Sequence, residues 1–249
     1  MQMDFASICG YRLRMRTLGL IGGMSWHSTI DYYRGINERV AGELGGHHSA
    51  KLLLSSLDFY EIRDCQINED WTRAGSLLSA EATSLAAAGA DAVAICTNLM
   101  HKVAPAVESA VHVPLLHIGD AVARAATARS ISTVGIVATD WVMREPFYCD
   151  RLAQHGIEAI APEGAERADL DGIIWSELTR GIVTDASREV YVAAIERLAE
   201  RGARAVVLAC TEIQLLIRPG DVSIPVIDSM ASHVDALADF ALTREPAYA

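Results

Sequence analysis

Residues 89–98 read GADAVAICTN and residues 202–212 read GARAVVLACTE. Each is a glycine able to close a helix, then a short apolar run, then Cys-Thr and one polar residue. A brief, continuously apolar run between turn signals fits a strand buried on both faces of a parallel sheet. The pattern recurs. Strands are expected at TLGLI (17–21), LLLSSL (52–57), DAVAIC (91–96), VPLLHI (113–118), STVGIVAT (132–139), IEAIAP (157–162), ARAVVLAC (203–210) and IPVID (224–228). Helical patterns lie between them, over 28–44, 71–88, 119–128, 145–154 and 186–200, with a last one over 229–242. Residues 58–70, DFYEIRDCQINED, read only as a polar segment. Strands alternating with helices specify an α/β fold of open, parallel, Rossmann-like sheets.

The two halves match beyond this outline. RTLGLIGGMSWHSTIDYY (16–33) lies over STVGIVATDWVMREPFYC (132–149), so that Thr17, Gly19 and Tyr32 fall on Thr133, Gly135 and Tyr148 at a constant offset of 116. VPLLHI then matches IPVIDS. Any two βα units look alike, but matches in one order together with paired Cys-Thr favour internal duplication. The expected organisation is a first domain over 16–118, with helix 229–242 packing back onto it, and a second over 119–228. Residues 1–15 read as a loose extension. Ligands of open α/β sheets bind at the carboxyl ends of the strands. Two such domains related by a pseudo-two-fold axis would gather GGMS, ATD and both Cys-Thr pairs around one interdomain cleft.

Composition narrows the function. The chain of 249 residues is 51% hydrophobic and carries a formal net charge of -11, which disfavours nucleic acid and anionic membrane as partners. Five cysteines, Cys9, Cys65, Cys96, Cys149 and Cys210, are odd in number and widely spaced, without a CxxC; neither a disulfide framework nor a zinc site is expected. Cys65, in the polar segment, is a candidate exposed thiol. The eight histidines show no metal spacing, and no apolar stretch is long enough to span a bilayer. A cytoplasmic location is the expectation. GLIGGMS lacks the GxGxxG spacing of a dinucleotide fingerprint; a tight turn offering amides to a carboxylate explains it better.

A thiolate is both nucleophile and base. Two thiols, one per domain, suit removal of a proton from one face of a carbon and return of a proton to the other, as α-carbon inversion of an amino acid requires. Pyridoxal phosphate would need a lysine, and Lys51 and Lys102, the only two, come with no cofactor motif. Without a cofactor, the developing charge needs preorganised donors, for which Thr97, Asn98, Thr211 and the GGMS amides are candidates.

GLIGGMSWHSTIDYY, CTNLMHKV, GIVATDWVM, IIWSEL and CTEIQLLI together resemble the aspartate/glutamate racemase superfamily, in its aspartate racemase and broad-specificity amino acid racemase branch. The resemblance spans Arg16 to about Phe240. It implies no cofactor, a homodimer, an amino acid substrate, and Cys96 and Cys210 as the acid/base pair; the histidine spacing already gave the expectation of no metal. Met24 and Ser25 would frame the substrate. Thr97 and Asn98 would hold its carboxylate or amino group beside Cys96, Thr139 would reach in from the second domain, Thr211 would stand beside Cys210, and Glu212 would orient its neighbours or meet the substrate ammonium. Val142 stands where the family often has threonine. Where a lysine can precede IIWSEL the chain has Asp169, an acid that would repel a distal carboxylate; Arg63 and Arg167 are the nearby cations. A broader substrate range is therefore favoured over strict aspartate. His101, following CTNLM, is read either as an ion-pair partner of Cys96 or as packing. His117 and Asp228 occupy related strand ends and are candidates for the cleft rim, and Trp141 and Trp175 are read as packing or shielding groups. The alternatives are a maleate-type isomerase or a decarboxylase on the same scaffold, the latter needing one thiol, and a non-catalytic binder of amino or dicarboxylic acids.

Overall fold

The computed structural model describes residues 11–13 and 15–246. Most of the expected N-terminal extension, residues 1–10 and 14, lies outside the described residues. Within it Tyr11–Leu13 is a strand, β1. The first half continues with β2 (Thr17–Gly22), α1 (Trp26–Leu44), β3 (Lys51–Ser56), α2 (Phe59–Ile67), α3 (Trp71–Ala87), β4 (Ala92–Ile95), α4 (Ala104–Ala110) and α5 (Ile118–Thr127). The second half runs β5 (Thr133–Val137), α6 (Asp140–Arg144), α7 (Pro146–Ala153), β6 (Glu158–Ile160), α8 (Gly164–Ser176), α9 (Asp185–Glu200), β7 (Ala205–Leu208) and β8 (Val226–Asp228). Helix α10 (Ser229–Ala241) leads to β9 (Arg244–Pro246), which pairs antiparallel with β1.

Each half carries its own parallel sheet. The first has the order β3-β2-β4, continued by a parallel bridge from Val93 to Leu115; the second has β6-β5-β7-β8. The orders correspond strand for strand. The shared glycines show why the repeat kept them. A Cβ on Gly19 would stand 3.0 Å from the Cβ atoms of Leu85 and Ala90, and one on Gly135 would stand 3.0 and 3.1 Å from Leu198 Cδ1 and Cβ. In both halves the strand is crossed so closely by the end of α3 or α9 and the turn after it that a side chain would push the layers apart.

VPLLHI contributes only the bridge at Leu115 before the chain turns at His117 into α5. The carbonyl of Pro114 accepts from Val93 N at 2.9 Å, and in the other half the carbonyl of Pro225 accepts from Val206 N at 2.9 Å. The polar segment is a helix instead. Asp58 caps α2 by accepting from Tyr60 N, and Ile62, Cys65 and Gln66 form its buried stripe. Cys65 is therefore buried beneath α3, not exposed.

The first sheet is filled on both faces. Ile21, Val93 and Ile95 pack with α3, while Leu18, Leu20, Ala92, Ala94 and Cys96 pack with Tyr32 and Ile36 of α1 and Met230 and Leu237 of α10. Helix α10 thus follows the second sheet in sequence but covers the first, also contacting α5. No described helix is long and apolar enough to cross a membrane.

Candidate active site

The GGMS turn leaves the carboxyl end of β2. Gly23 has φ +85°, and a Cβ there would fall 2.2 Å from the carbonyl oxygen of Leu57, so only glycine fits. Gly23 N donates to Thr29 Oγ1 at 2.8 Å, and that hydroxyl donates to the carbonyl of Ser25 at 2.8 Å. These bonds fix Ser25 at the start of α1. Its hydroxyl then reaches the other half, donating to Glu212 Oε1 at 3.2 Å.

Glu212 gathers donors. Its Oε2 accepts from Thr211 Oγ1 at 2.7 Å and from the Cys210 thiol at 3.2 Å. Burial first, and the neighbouring carboxylate next, push the Cys210 thiol pKa well up, so this cysteine is held as S–H. Cys96 is also held as a thiol, by burial alone.

A cavity of about 600 Å³ separates the halves, within the range of small-molecule sites. Met24, Ser25, Phe59, Gln66 and Thr97 wall it from the first half; Thr139, Trp175, Cys210, Thr211 and Glu212 from the second. Seven of the nine residues singled out from the sequence border it: Met24, Ser25, Thr97, Thr139, Cys210, Thr211 and Glu212. Cys96 and Asn98 do not. Cys96 is 1% exposed, one residue behind the Thr97 wall. Asn98 ties the halves together: Tyr148 donates to its Oδ1 at 3.1 Å, its Nδ2 donates to Ser229 Oγ at 3.0 Å, and Ser229 donates to the carbonyl of Leu208 at 2.6 Å.

The thiols differ because the strand registers differ. Ile95 pairs with Ile21 and Leu208 with Val137. The next amides, Cys96 N and Ala209 N, bond the carbonyls of Ile21 and Val137 at 2.9 Å each. Cys96 therefore corresponds in space to Ala209, and Cys210 corresponds to Thr97. The extra residue in GARAVVLACTE moves the second cysteine one step out of the sheet, into the cavity wall.

Thr139 Oγ1 is buried in the wall without a hydrogen-bond partner among the described residues. An unpaired buried hydroxyl costs free energy unless a ligand meets it.

The histidines are placed by the same accounting. His101 Nδ1 lies 2.8 Å from the carbonyl of Thr97, and Nε2 accepts from Ile118 N at 3.2 Å, which assigns the proton to Nδ1. Burial, with His117 and His233 close by, holds His101 neutral. It positions the Thr97 turn and is no ion-pair partner for Cys96. His117 and Asp228 cap α5 and α10 through Gly119 N and Ala231 N and do not line this cavity.

Asp169 is exposed on α8 and does not border the cavity, so the expected repulsion of a distal carboxylate from this residue is absent. The α8 acid bonded to the wall is Asp171, which accepts from Asp140 N at 2.8 Å and Trp175 Nε1 at 3.1 Å. Arg167 pairs with Asp140 at 2.7 Å, and Arg63 stacks on Trp175, its Cζ 3.7 Å from the ring centroid. Lys102 pairs with Glu145 and lies over Trp71. Among the described residues there is no cluster of three or more His, Cys, Asp or Glu side chains arranged for a metal. Phe59 and Gln66 escaped the sequence reading because α2 did; the cap at Asp58 and the Ile62/Cys65/Gln66 spacing were the available signal.

Residues 21–237 match the Asp/Glu/Hydantoin racemase family. Among similar solved structures is one described as a "putative Asp/Glu racemase" from Yersinia pestis, 47% identical over 92% of this chain and 100% of that one, with a TM-score of 0.88. An aspartate racemase homologue from Pyrococcus horikoshii OT3 is 33% identical over 91% of this chain and 99% of that one, with a TM-score of 0.79. Picrophilus torridus aspartate racemase shares the fold at 20% identity and a TM-score of 0.70, over 91% and 94% of the two chains. A match over most of the chain, joined to a walled interdomain site with a thiol in it, makes this protein a racemase-type enzyme of the Asp/Glu/Hydantoin racemase family.

Proposed function

We propose that the protein is a cofactor-independent amino acid racemase of broad side-chain range, with Cys210 and Cys96 as the acid/base pair. The observation carrying this reading is a thiol and an unpartnered buried hydroxyl, Cys210 and Thr139, in one wall between the halves. The substrate carboxylate meets the hydroxyls of Thr139 and Thr97, fixed donors that replace its water shell, while Thr211 keeps its proton on Glu212. Its ammonium faces Glu212, the carboxylate beside Cys210.

Proton balance sets the chemical roles. One thiolate takes the α-proton and becomes a thiol; the opposite thiol gives its proton to the other face and becomes a thiolate. Both cysteines are held protonated in the free site, so one proton must leave before chemistry begins. For Cys210 the acceptor within reach is Glu212, 3.2 Å away. Among the described residues Cys96 has no such neighbour, and in the two-thiol step the Thr97 turn covering it moves aside so that its Sγ reaches the other face of the carbon.

The test is incubation of each L- and D-amino acid in deuterated water, with inversion read by chiral chromatography and α-deuterium by mass spectrometry. Inversion coupled to deuterium uptake is expected for several side chains. Exchange with retention would replace the two-thiol reading by one-thiol chemistry, the specific rival, since Cys210 is the one thiol in the cavity wall among the described residues. No exchange on any amino acid would sink the racemase reading of the substrate.

A further inference from the structure

Resting on that reading, we propose that Trp175 sets the side-chain specificity of the site: its ring screens the Arg63 guanidinium from the cavity, so the site takes amino acids with uncharged side chains and holds a carboxylate receptor in reserve behind the wall. The placement is particular. Arg63 belongs to α2 in the first half and Trp175 to α8 in the second. The guanidinium carbon lies 3.7 Å from the Trp175 ring centroid and 5.7 Å from that of Trp141, and Arg63 Nη1 donates to Gln66 Oε1 at 3.2 Å. Trp175 and Gln66 both border the cavity and Arg63 does not. The cation is thus one side chain behind the wall, held by groups that form it.

The ring is fixed from its far edge, where Nε1 donates to Asp171 Oδ1 at 3.1 Å. Among the described residues Arg63 makes no salt bridge, so its charge is answered mainly by aromatic faces and one amide oxygen. Burial lowers its pKa and Asp171 raises it, as for a cation half out of water with an acid nearby. The cations that do border the cavity are weaker receptors. Arg34 is bonded to Asp31 at 3.2 Å, and Arg180 is exposed to water, which screens it. Glu212, beside the thiol, repels a second carboxylate.

The experiment compares kcat/KM for aspartate and glutamate with that for methionine and leucine in wild type, Trp175→Ala, Arg63→Gln and the double variant. Trp175→Ala is expected to raise the acidic-to-uncharged ratio by about tenfold or more, the worth of one charge-assisted hydrogen bond. Adding Arg63→Gln should return the ratio to the wild-type value. Arg63→Gln alone should leave the ratio where it was, and this arm stands even if the tryptophan variant fails to fold. A selective loss of acidic substrates in Arg63→Gln, or a gain in Trp175→Ala that survives Arg63→Gln, would overturn the proposal, as would an unmoved ratio in folded Trp175→Ala. Titration calorimetry with aspartate reads the same screen without turnover: binding should tighten in Trp175→Ala and relax again in the double variant. Wild type inactive on every amino acid would instead defeat the racemase reading, and the calorimetric arm would still decide the screen.

Discussion

The two Cys-Thr corners match in sequence but are unequal in space. Cys96 ends its strand inside the core, 1% exposed, packed with Tyr32 of α1 and Met230 of α10. Cys210 stands one residue farther along, in the cavity wall, beside a carboxylate. The third residues diverge accordingly: Asn98 is spent on holding the halves together, and Glu212 on the thiol next to it. The duplicated scaffold keeps sheet order and close-packing glycines, because these are demands of the fold. Its corners are free to differ because a chiral substrate, unlike the scaffold, has no two-fold axis.

The strongest test of this contrast is loss of each thiol. Cys96→Ser and Cys210→Ser should each lower inversion by about 10²–10⁴-fold, the scale of a general acid or base, as read by chiral chromatography. Near-wild-type turnover in Cys96→Ser would show that the buried corner is only packing.

Next in size is an acid effect confined to the Cys96 side. Burial lowers the pKa of His117 to about 3 and of His233 to about 4, from 6.5. Above 6.5 both are neutral, folded or unfolded. As pH falls below 6.5 the unfolded chain binds protons that the folded one refuses, so stability drops until the folded values are reached. At about 1.4 kcal/mol per unit for each group, these two lose on the order of 4 kcal/mol from pH 7 to pH 5, and His101, also buried neutral, adds to the loss. Denaturant titration at a series of pH values measures it, and a flat profile would contradict the buried neutral pair.

Asn98→Ala should cost about 2 kcal/mol in the same assay, since Tyr148 loses its acceptor and Ser229 a donor in a buried place. An unchanged midpoint would mean that water replaces the tie. The smallest effect sharpens the other corner. The Glu212 charge raises the Cys210 pKa, second to burial, so Glu212→Gln should lower it. Alkylation of Cys210 would then begin at lower pH, while Cys96 stays slow to alkylate. Equal reaction of both thiols in the wild type would erase the distinction.

Much of this was legible from local pattern. Strands, repeat and turn glycines follow from apolar runs and motif spacing, and seven of the cavity residues from the resemblance to the racemase superfamily. Helix α2 was hidden because its buried stripe is short and partly polar, and with it went Phe59 and Gln66. Asp169 misled because position along a helix does not tell which face meets the cavity. The charge near the wall is Asp171, two residues on, which turns it to another side of α8.

The sequence by itself determined an α/β chain of two matched halves, each with Cys-Thr at a strand end, because alternation and motif are properties of neighbours along the chain. Tertiary structure alone decided that one cysteine faces the cavity and the other the core, that Glu212 rather than Asn98 serves a thiol, and that Arg63 lies behind Trp175. Those outcomes depend on strand register and on contacts between the halves, and a one-residue step in register changes which side chain a wall presents.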